Sequence, residues 1–166
     1  MAGNDKEATA MAITPFLWFD TEAEEAAKLY TTVFDDARIT DVTHYGEAGP
    51  RPAGMVLTVA FEIDGQPFVA LNGGPEYRFT EAISFQIPCR TQEEVDRYWS
   101  ALSEGGEEGP CGWLKDRFGL SWQVVPTVLP ELLSQPDREK ANRVMAAMMQ
   151  MKKLDIAALT AAADAA

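Results

Sequence analysis

One pattern occurs twice along this 166-residue chain. It consists of a short apolar run, a hydroxyl residue with a glutamate three positions later, an apolar helical face, and then several strand-like runs. In the first copy, Ile13 to Phe19 is apolar and aromatic except for Thr14 and Pro15, and short enough for a buried strand. Thr21 and Glu24 have the spacing at which a hydroxyl and a carboxylate satisfy each other's orphan backbone donors, so a helix is predicted to start there. Ala23, Ala26, Ala27, Tyr30, Val33 and Phe34 recur at three-four spacing and give it one apolar face. After Asp35-Asp36, Arg38 to Tyr45 reads as a half-exposed strand and Gly46 to Gly54 as a loop. Met55 to Ile63 and Gln66 to Leu71 read as strands joined through Asp64-Gly65, a strong hairpin signal.

The loop Gly73 to Glu81 separates this copy from the next. Ala82 to Cys89 is strand-like, Thr91 with Glu94 repeats the capping pair, and Val95, Tyr98, Trp99 and Leu102 form a helical face that stops at Gly105-Gly106. The string Glu24-Glu25-Ala26-Ala27-Lys28-Leu29-Tyr30 lines up with Glu93-Glu94-Val95-Asp96-Arg97-Tyr98-Trp99. Strand candidates Glu107 to Cys111, Gly112 to Lys115 and Leu120 to Val125 follow, the last pair turned by Arg117-Phe118-Gly119. An internal duplication accounts for all of this, and the expected fold class is α+β with two tandem βαβββ units, residues 13–73 and 82–126. Residues 1–12 are expected to be a flexible N-terminal segment and 129–166 a helical tail. The tail reads as helices over Leu129 to Ser134, Asp137 to Lys152 and Asp155 to Ala163, with Ala141, Val144, Met145 and Met148 on one face of the second.

The chain has 26 acidic residues against 14 basic ones, a formal charge of -12, and its basic residues are scattered. Such a balance repels a phosphate backbone, so nucleic acid is not an expected partner. A hydrophobic share of 46% with 24% charged residues supplies an apolar interior and argues against disorder. Cys89 and Cys111 lack the spacing of a zinc knuckle or a Cys-x-x-Cys pair and read as reduced thiols. No apolar run is long enough to cross a membrane, and Asp5, Lys6 and Glu7 interrupt what a signal peptide needs apolar. A cytoplasmic protein with no membrane partner is expected.

Several strings make the pattern more specific: Ile13-Thr14-Pro15-Phe16-Leu17-Trp18-Phe19, Ala70-Leu71-Asn72-Gly73-Gly74, Ile83-Ser84-Phe85-Gln86, Cys111 to Asp116, and Ser121-Trp122-Gln123-Val124-Val125-Pro126. With the tandem units, they resemble the vicinal-oxygen-chelate superfamily of glyoxalases, bleomycin-resistance proteins and extradiol dioxygenases, in particular its PhnB-like branch, which often carries the label 3-demethylubiquinone-9 3-methyltransferase. The resemblance covers about Ile13 to Leu159. It implies the glyoxalase/bleomycin resistance/dioxygenase fold, with curved mixed sheets forming troughs. In metal-using members, inward His, Gln and Glu side chains hold a divalent ion. The matching positions here are Thr14 or Phe16, Ala70 or Asn72, Ala82 or Ser84, and Gln123, and none is His, Asp or Glu. Such a set is a poor cage for a transition metal, so no metal or other cofactor is expected. S-adenosylmethionine enzymes on Rossmann-like sheets use a glycine-rich turn from strand into helix. Asp20-Thr21 and Arg90-Thr91 lack it.

The resulting expectation is metal-independent binding of a small molecule in the sheet trough, in a pocket lined by Trp18, Asn72, Gln86, Trp113 and Gln123, with no catalytic residue assigned. Amides on apolar strands need partners, and aromatic walls suit a flat or amphipathic ligand. Asn72 has a second reading as support for the turn into Gly73-Gly74, the glutamines a second reading as bonded to backbone or water, and Trp18, Trp113 and Phe16 one as core. The alternatives in function are a metal-dependent lyase, isomerase or oxygenase of the glyoxalase/dioxygenase type, the methyltransferase of the label, or a scaffold without ligand. A homodimer is expected, with exchange of a unit or of the tail between subunits a further option. His44, the single histidine, reads as a surface residue. Cys111 and Cys89 read as unreactive, for nothing in the string Gly109-Pro110-Cys111-Gly112 lowers a thiol pKa. Met145, Met148, Met149 and Met151 read as core or subunit interface, and Glu22 to Glu25 and Glu107-Glu108 as solvated faces.

Overall fold

The structure, a computed structural model, describes residues 13–165. The expected flexible segment 1–12 lies outside the described residues. The chain divides into two compact units, the second beginning at Arg78.

The first unit runs β1 (Phe16–Phe19), α1 (Ala23–Val33), β2 (Ala37–His44), β3 (Val56–Ile63) and β4 (Gln66–Asn72), with sheet order β1-β4-β3-β2. β1 lies parallel to β4, and the other neighbours are antiparallel. The β3–β4 hairpin turns through Asp64 (φ 48°) and Gly65 (φ 77°), two positive-φ residues whose twist matches that of the strands. Ala23, Ala26, Ala27 and Tyr30 of α1 are fully buried. Small alanines let the helix lie close to the sheet, where Tyr30 meets Phe61 at 5.9 Å between ring centroids and Phe61 stacks on Phe68 at 5.3 Å.

The second unit repeats the order: β5 (Ser84–Cys89), α2 (Gln92–Ser103), β6 (Glu107–Glu108), β7 (Trp113–Lys115) and β8 (Ser121–Pro126), with sheet order β5-β8-β7-β6 and β5 parallel to β8. Three tail helices follow, α3 (Val128–Ser134), α4 (Arg138–Met148) and α5 (Ile156–Asp164). They share a core of Val125, Leu129, Val144, Leu154, Leu159 and Ala163. The Gln92 side chain ties this tail to the start of α2, donating to the Leu154 carbonyl and accepting from the Ile156 N–H. The duplicated βαβββ plan read from sequence is therefore present in both units, followed by the helical tail.

Three local expectations are corrected. Thr21 does not cap α1; Glu22 is the capping position and its carboxylate accepts from the Thr21 N–H. The Ala23 N–H is met instead by Asn72 Oδ1, 2.9 Å away and brought by β4. A partner 49 positions along the chain cannot be seen in a local spacing rule. In α2 the local pair does form, with Thr91 Oγ1 accepting from Glu94 N–H and Glu94 accepting from Arg90 N–H. The strand expected over Glu107 to Cys111 is only two residues long, because Pro110 lacks a donor and Cys111 (φ 57°) and Gly112 (φ 84°) turn the chain. The helix expected to reach Lys152 ends at Met148, since the Cys111 and Gly112 N–H groups bond to the Met151 and Lys152 carbonyls and hold that segment as a strap.

Asn72 is 1% exposed and joins three elements: its Oδ1 caps α1, its Nδ2 donates to the Val56 carbonyl, and its own carbonyl accepts from Tyr45 Oη. Asn72→Ala leaves a buried donor and a half-buried acceptor unpaired and is expected to cost about 2–4 kcal/mol in denaturant unfolding. Asn72→Asp keeps the acceptor and is expected to lose less. Equal losses for the two would show that the cap contributes nothing.

Candidate ligand-binding site

Strand alternation gives the second sheet two faces. Phe85, Trp122 and Leu114 pair across β5, β8 and β7, as do Ile87 and Val124 in the next row. Leu114, Trp122, Val124 and Ile87 are buried, as are Val95, Trp99 and Leu102 of α2, which covers this face. Trp99 Nε1 reaches Glu108 on β6, 2.8 Å away.

The opposite face carries two polar rows. In one, Gln86, Gln123 and Trp113 are direct cross-strand partners. In the other, Ser84, Ser121, Lys115 and Glu107 line up across all four strands. Gln123 Nε2 donates to Ser84 Oγ at 2.8 Å, linking the rows. Beside them is a pocket of about 400 Å³, within the range typical of small-molecule sites, lined by Trp113, Lys115, Ser121, Glu81, Glu107 and the Gly109–Cys111 turn among others.

Two side chains there are in opposite conditions. Lys115 is matched: its ammonium lies 2.5 Å from Glu81 and 3.9 Å from Glu107. The hydrogen bond to Glu81 raises the lysine pKa and lowers that of the glutamate. Ser121 is unmatched. It is 1% exposed and its Oγ has no hydrogen-bond partner. A hydroxyl hidden from water without a partner costs free energy, so its retention here calls for an explanation.

Asp116 fixes the geometry. Buried at 2% exposure in the β7–β8 turn, it accepts from the Phe118 and Leu120 N–H groups through Oδ1 and from Trp122 Nε1 through Oδ2. Lys115 and Ser121 flank this turn and are thereby held opposite each other. Gly106 permits the close approach of the chain behind them, for a Cβ there would lie 2.1 Å from the Lys115 carbonyl oxygen.

The structure brings Gln86, Gln123 and Trp113 together, and only Trp113 lines the pocket itself. Gln86 is exposed and Gln123 half-buried. Trp18 belongs to the first unit, where its ring packs on Gly73, its Nε1 donates to the Gly74 carbonyl and Tyr77 meets it edge-on at 4.9 Å. Asn72, also in that unit, has both ends of its amide engaged by α1 and Val56. His44 is exposed at the end of β2. Cys111 lines the pocket with Sγ 3.7 Å from Met149 Sδ, and burial pushes the Cys89 thiol up to about 11. Sequence reasoning missed Ser121, Lys115 and Asp116. The available signals were a hydroxyl between the apolar Leu120 and Trp122, and an aspartate three residues before a turn glycine.

The residues present do not fit a divalent metal. Among the described residues no three His, Cys, Asp or Glu side chains come together as ligands. The carboxylate facing Lys115 is already neutralised, and the amides at Gln86 and Gln123 are weak donors beside imidazole or carboxylate. They do not fit S-adenosylmethionine in its glycine-rich cradle either. α1 and α2 begin at Glu22 and Thr91, with glutamates in their first turns and no glycine.

The fold of each unit is that of the vicinal-oxygen-chelate superfamily. Over 76% of this chain and 99% of theirs, it superposes on the fosfomycin resistance protein FosX from Listeria monocytogenes, at TM-score 0.51 and 20% identity. The model of the 3-demethylubiquinone-9 3-methyltransferase family matches residues 11–125. The PhnB protein from Bacillus cereus is 34% identical, with 69% of this chain and 98% of that chain covered at TM-score 0.63. Protein PA1353 from Pseudomonas aeruginosa is 22% identical, covering 70% and 98% at TM-score 0.59. No curated protein matches. This chain belongs to the PhnB-like, 3-demethylubiquinone-9 3-methyltransferase family of that superfamily.

Two outcomes test this geometry. Asp116→Ala strands two backbone donors and an indole N–H and is expected to destabilise the protein by about 3 kcal/mol in urea unfolding. For the thiols, the raised Cys89 pKa means that the folded state holds its proton longer than the unfolded chain does. Stability from this group is intact below pH 9 and falls as pH rises towards about 11. Comparing urea midpoints of wild type and Cys89→Ala across that window is expected to show a steeper decline for wild type; parallel curves would contradict it.

Proposed function

We propose that the protein binds a small molecule, without a metal, on the face of the β5–β8 sheet opposite α2. The unpartnered hydroxyl of Ser121, a residue lining a pocket of about 400 Å³, carries the reading: it is closed to water as the chain stands, and a ligand reached by a turn of that side chain would supply the hydrogen bond that the chain does not. Trp113 offers the apolar wall, and Gln123 and Gln86 extend a polar row from it along the sheet. Of the residues expected from sequence, Trp113, Gln123 and Gln86 are assigned to this face, and Asn72 to the scaffold. Trp18 is assigned to the corresponding open face of the first unit. The protein acts as a homodimer in the cytoplasm. In support, Phe16 is 62% exposed on β1 and Ile83 69% exposed beside β5, apolar surface that a second copy would cover. Cys89 and Cys111 are both free thiols.

Thermal-shift screening against a metabolite panel, followed by calorimetry, tests the proposal. A true ligand at a hundredfold excess over its Kd is expected to add about 2.7 kcal/mol of stability. Trp113→Ala is expected to abolish that gain without unfolding the protein. A panel in which nothing binds, or whose hits bind Trp113→Ala equally well, would remove this assignment.

A further inference from the structure

We propose that the ligand of this pocket is a small organic ammonium carrying an apolar body. The inference rests on the binding role given to the β5–β8 sheet above and adds its chemical class. Glu81, Glu107 and Glu108 surround the pocket with a single basic residue, Lys115, among its lining. That lysine is already committed to Glu81 at 2.5 Å. An anionic ligand could use only the N–H groups that Glu81 leaves on Lys115, and would face the carboxylates of Glu81, Glu107 and Glu108 as it did so. A cation enters without disturbing the pair.

The carboxylates differ in how far they are used. Glu108 accepts from the Trp99 indole and has Lys152 at 3.9 Å, so it is turned to the α2 side. Glu107 is 77% exposed and lies 3.9 Å from Lys115, beyond hydrogen-bond distance, which leaves its oxygens able to accept from a ligand N–H. Ser121 Oγ sits in the same cross-strand row with no partner at all. An ammonium group has several N–H donors and no acceptor, the complement of a carboxylate and an unused hydroxyl oxygen. Trp113 and Pro110, both lining the pocket, give the apolar body its surface, and an indole face attracts a cation besides. A neutral alcohol of the same shape has one O–H to donate, to Ser121 or to Glu107 but not to both, and lacks the ionic attraction to the carboxylate.

The test uses the full-length protein, nitrogen-15 labelled, titrated at constant ionic strength with 2-phenylethylammonium, 3-phenylpropanoate and 2-phenylethanol. The Trp113 indole N–H, assigned from the spectrum of Trp113→Phe, is the reporter. The ammonium probe is expected to shift it and to bind at least about tenfold more tightly than the other two. Glu107→Gln and Ser121→Ala are each expected to weaken it by about fivefold or more. Ser121→Ala removes an unpaired buried hydroxyl, so its melting temperature is expected to match or exceed wild type, which separates lost binding from lost folding. If the carboxylate or the alcohol binds as well as the ammonium, or if both variants bind it unchanged, the ammonium assignment is wrong while the pocket remains a binding site. If no probe moves the Trp113 signal, the ammonium assignment fails, and the broader role then stands or falls on the metabolite panel.

Discussion

The parallel pairing of first and last strand is the constraint on which each unit depends. β1 against β4, and β5 against β8, cannot be joined by a hairpin, because parallel neighbours need a crossover long enough to return the chain to the starting end. The crossover takes in α1 in one unit and α2 in the other. A helix packed on one face of a four-stranded sheet leaves the second face open to other cover, and on the β5–β8 sheet the tail helices reach only its Val125 end. That face holds serine, glutamine, lysine and tryptophan, with Pro88 and Val125 at one end, where the helix side holds leucine, isoleucine, valine and tryptophan. The polar row and the pocket follow from the topology and not from any local motif.

Two buried polar side chains near that face are handled differently. Asp116 sits at a turn and is given backbone and indole donors, and it holds the β7–β8 connection in one register. Ser121, five positions on, is given none. If burial alone set the chemistry here, both would be satisfied or both replaced by apolar residues, since a lone buried hydroxyl is destabilising next to alanine. The contrast separates the scaffold from the part of the sheet to which we assign ligand binding.

Most of the fold was legible because its signals are local. Strand runs, the Asp64-Gly65 hairpin, the Thr91–Glu94 cap and the repeated helix face all lie within windows of a few residues. What was not legible depends on contacts across the chain. Asn72 looked like a pocket amide because nothing nearby reveals that α1 starts on it. The segment 149–152 looked like helix until the Cys111 and Gly112 N–H groups claimed its carbonyls. Of the candidate site, the neighbours Gln86, Gln123 and Trp113 were legible as amides and an indole on apolar strands. Ser121 and Lys115 were hidden by their ordinary residue types, since neither serine nor lysine marks a site until its partners, or their absence, are known.

The lack of metal donors changes how such a sheet can recognise a ligand. A divalent ion gripping two oxygens offers strong, directional binding with few protein contacts. Here the face and its pocket present amides, the Ser84 and Ser121 hydroxyls, glutamates that do not gather as a metal site and a lysine already paired, so any affinity would come from shape, apolar contact, hydrogen bonds and single ionic contacts. Each such contact contributes only about 1–3 kcal/mol even when charge-assisted, and a useful affinity needs several acting together. That requirement favours a pocket held rigid before binding. The Asp116 turn, the close approach at Gly106 and the Cys111–Gly112 strap each hold lining residues in place, so that a ligand bound as proposed would lose little binding energy in ordering the site.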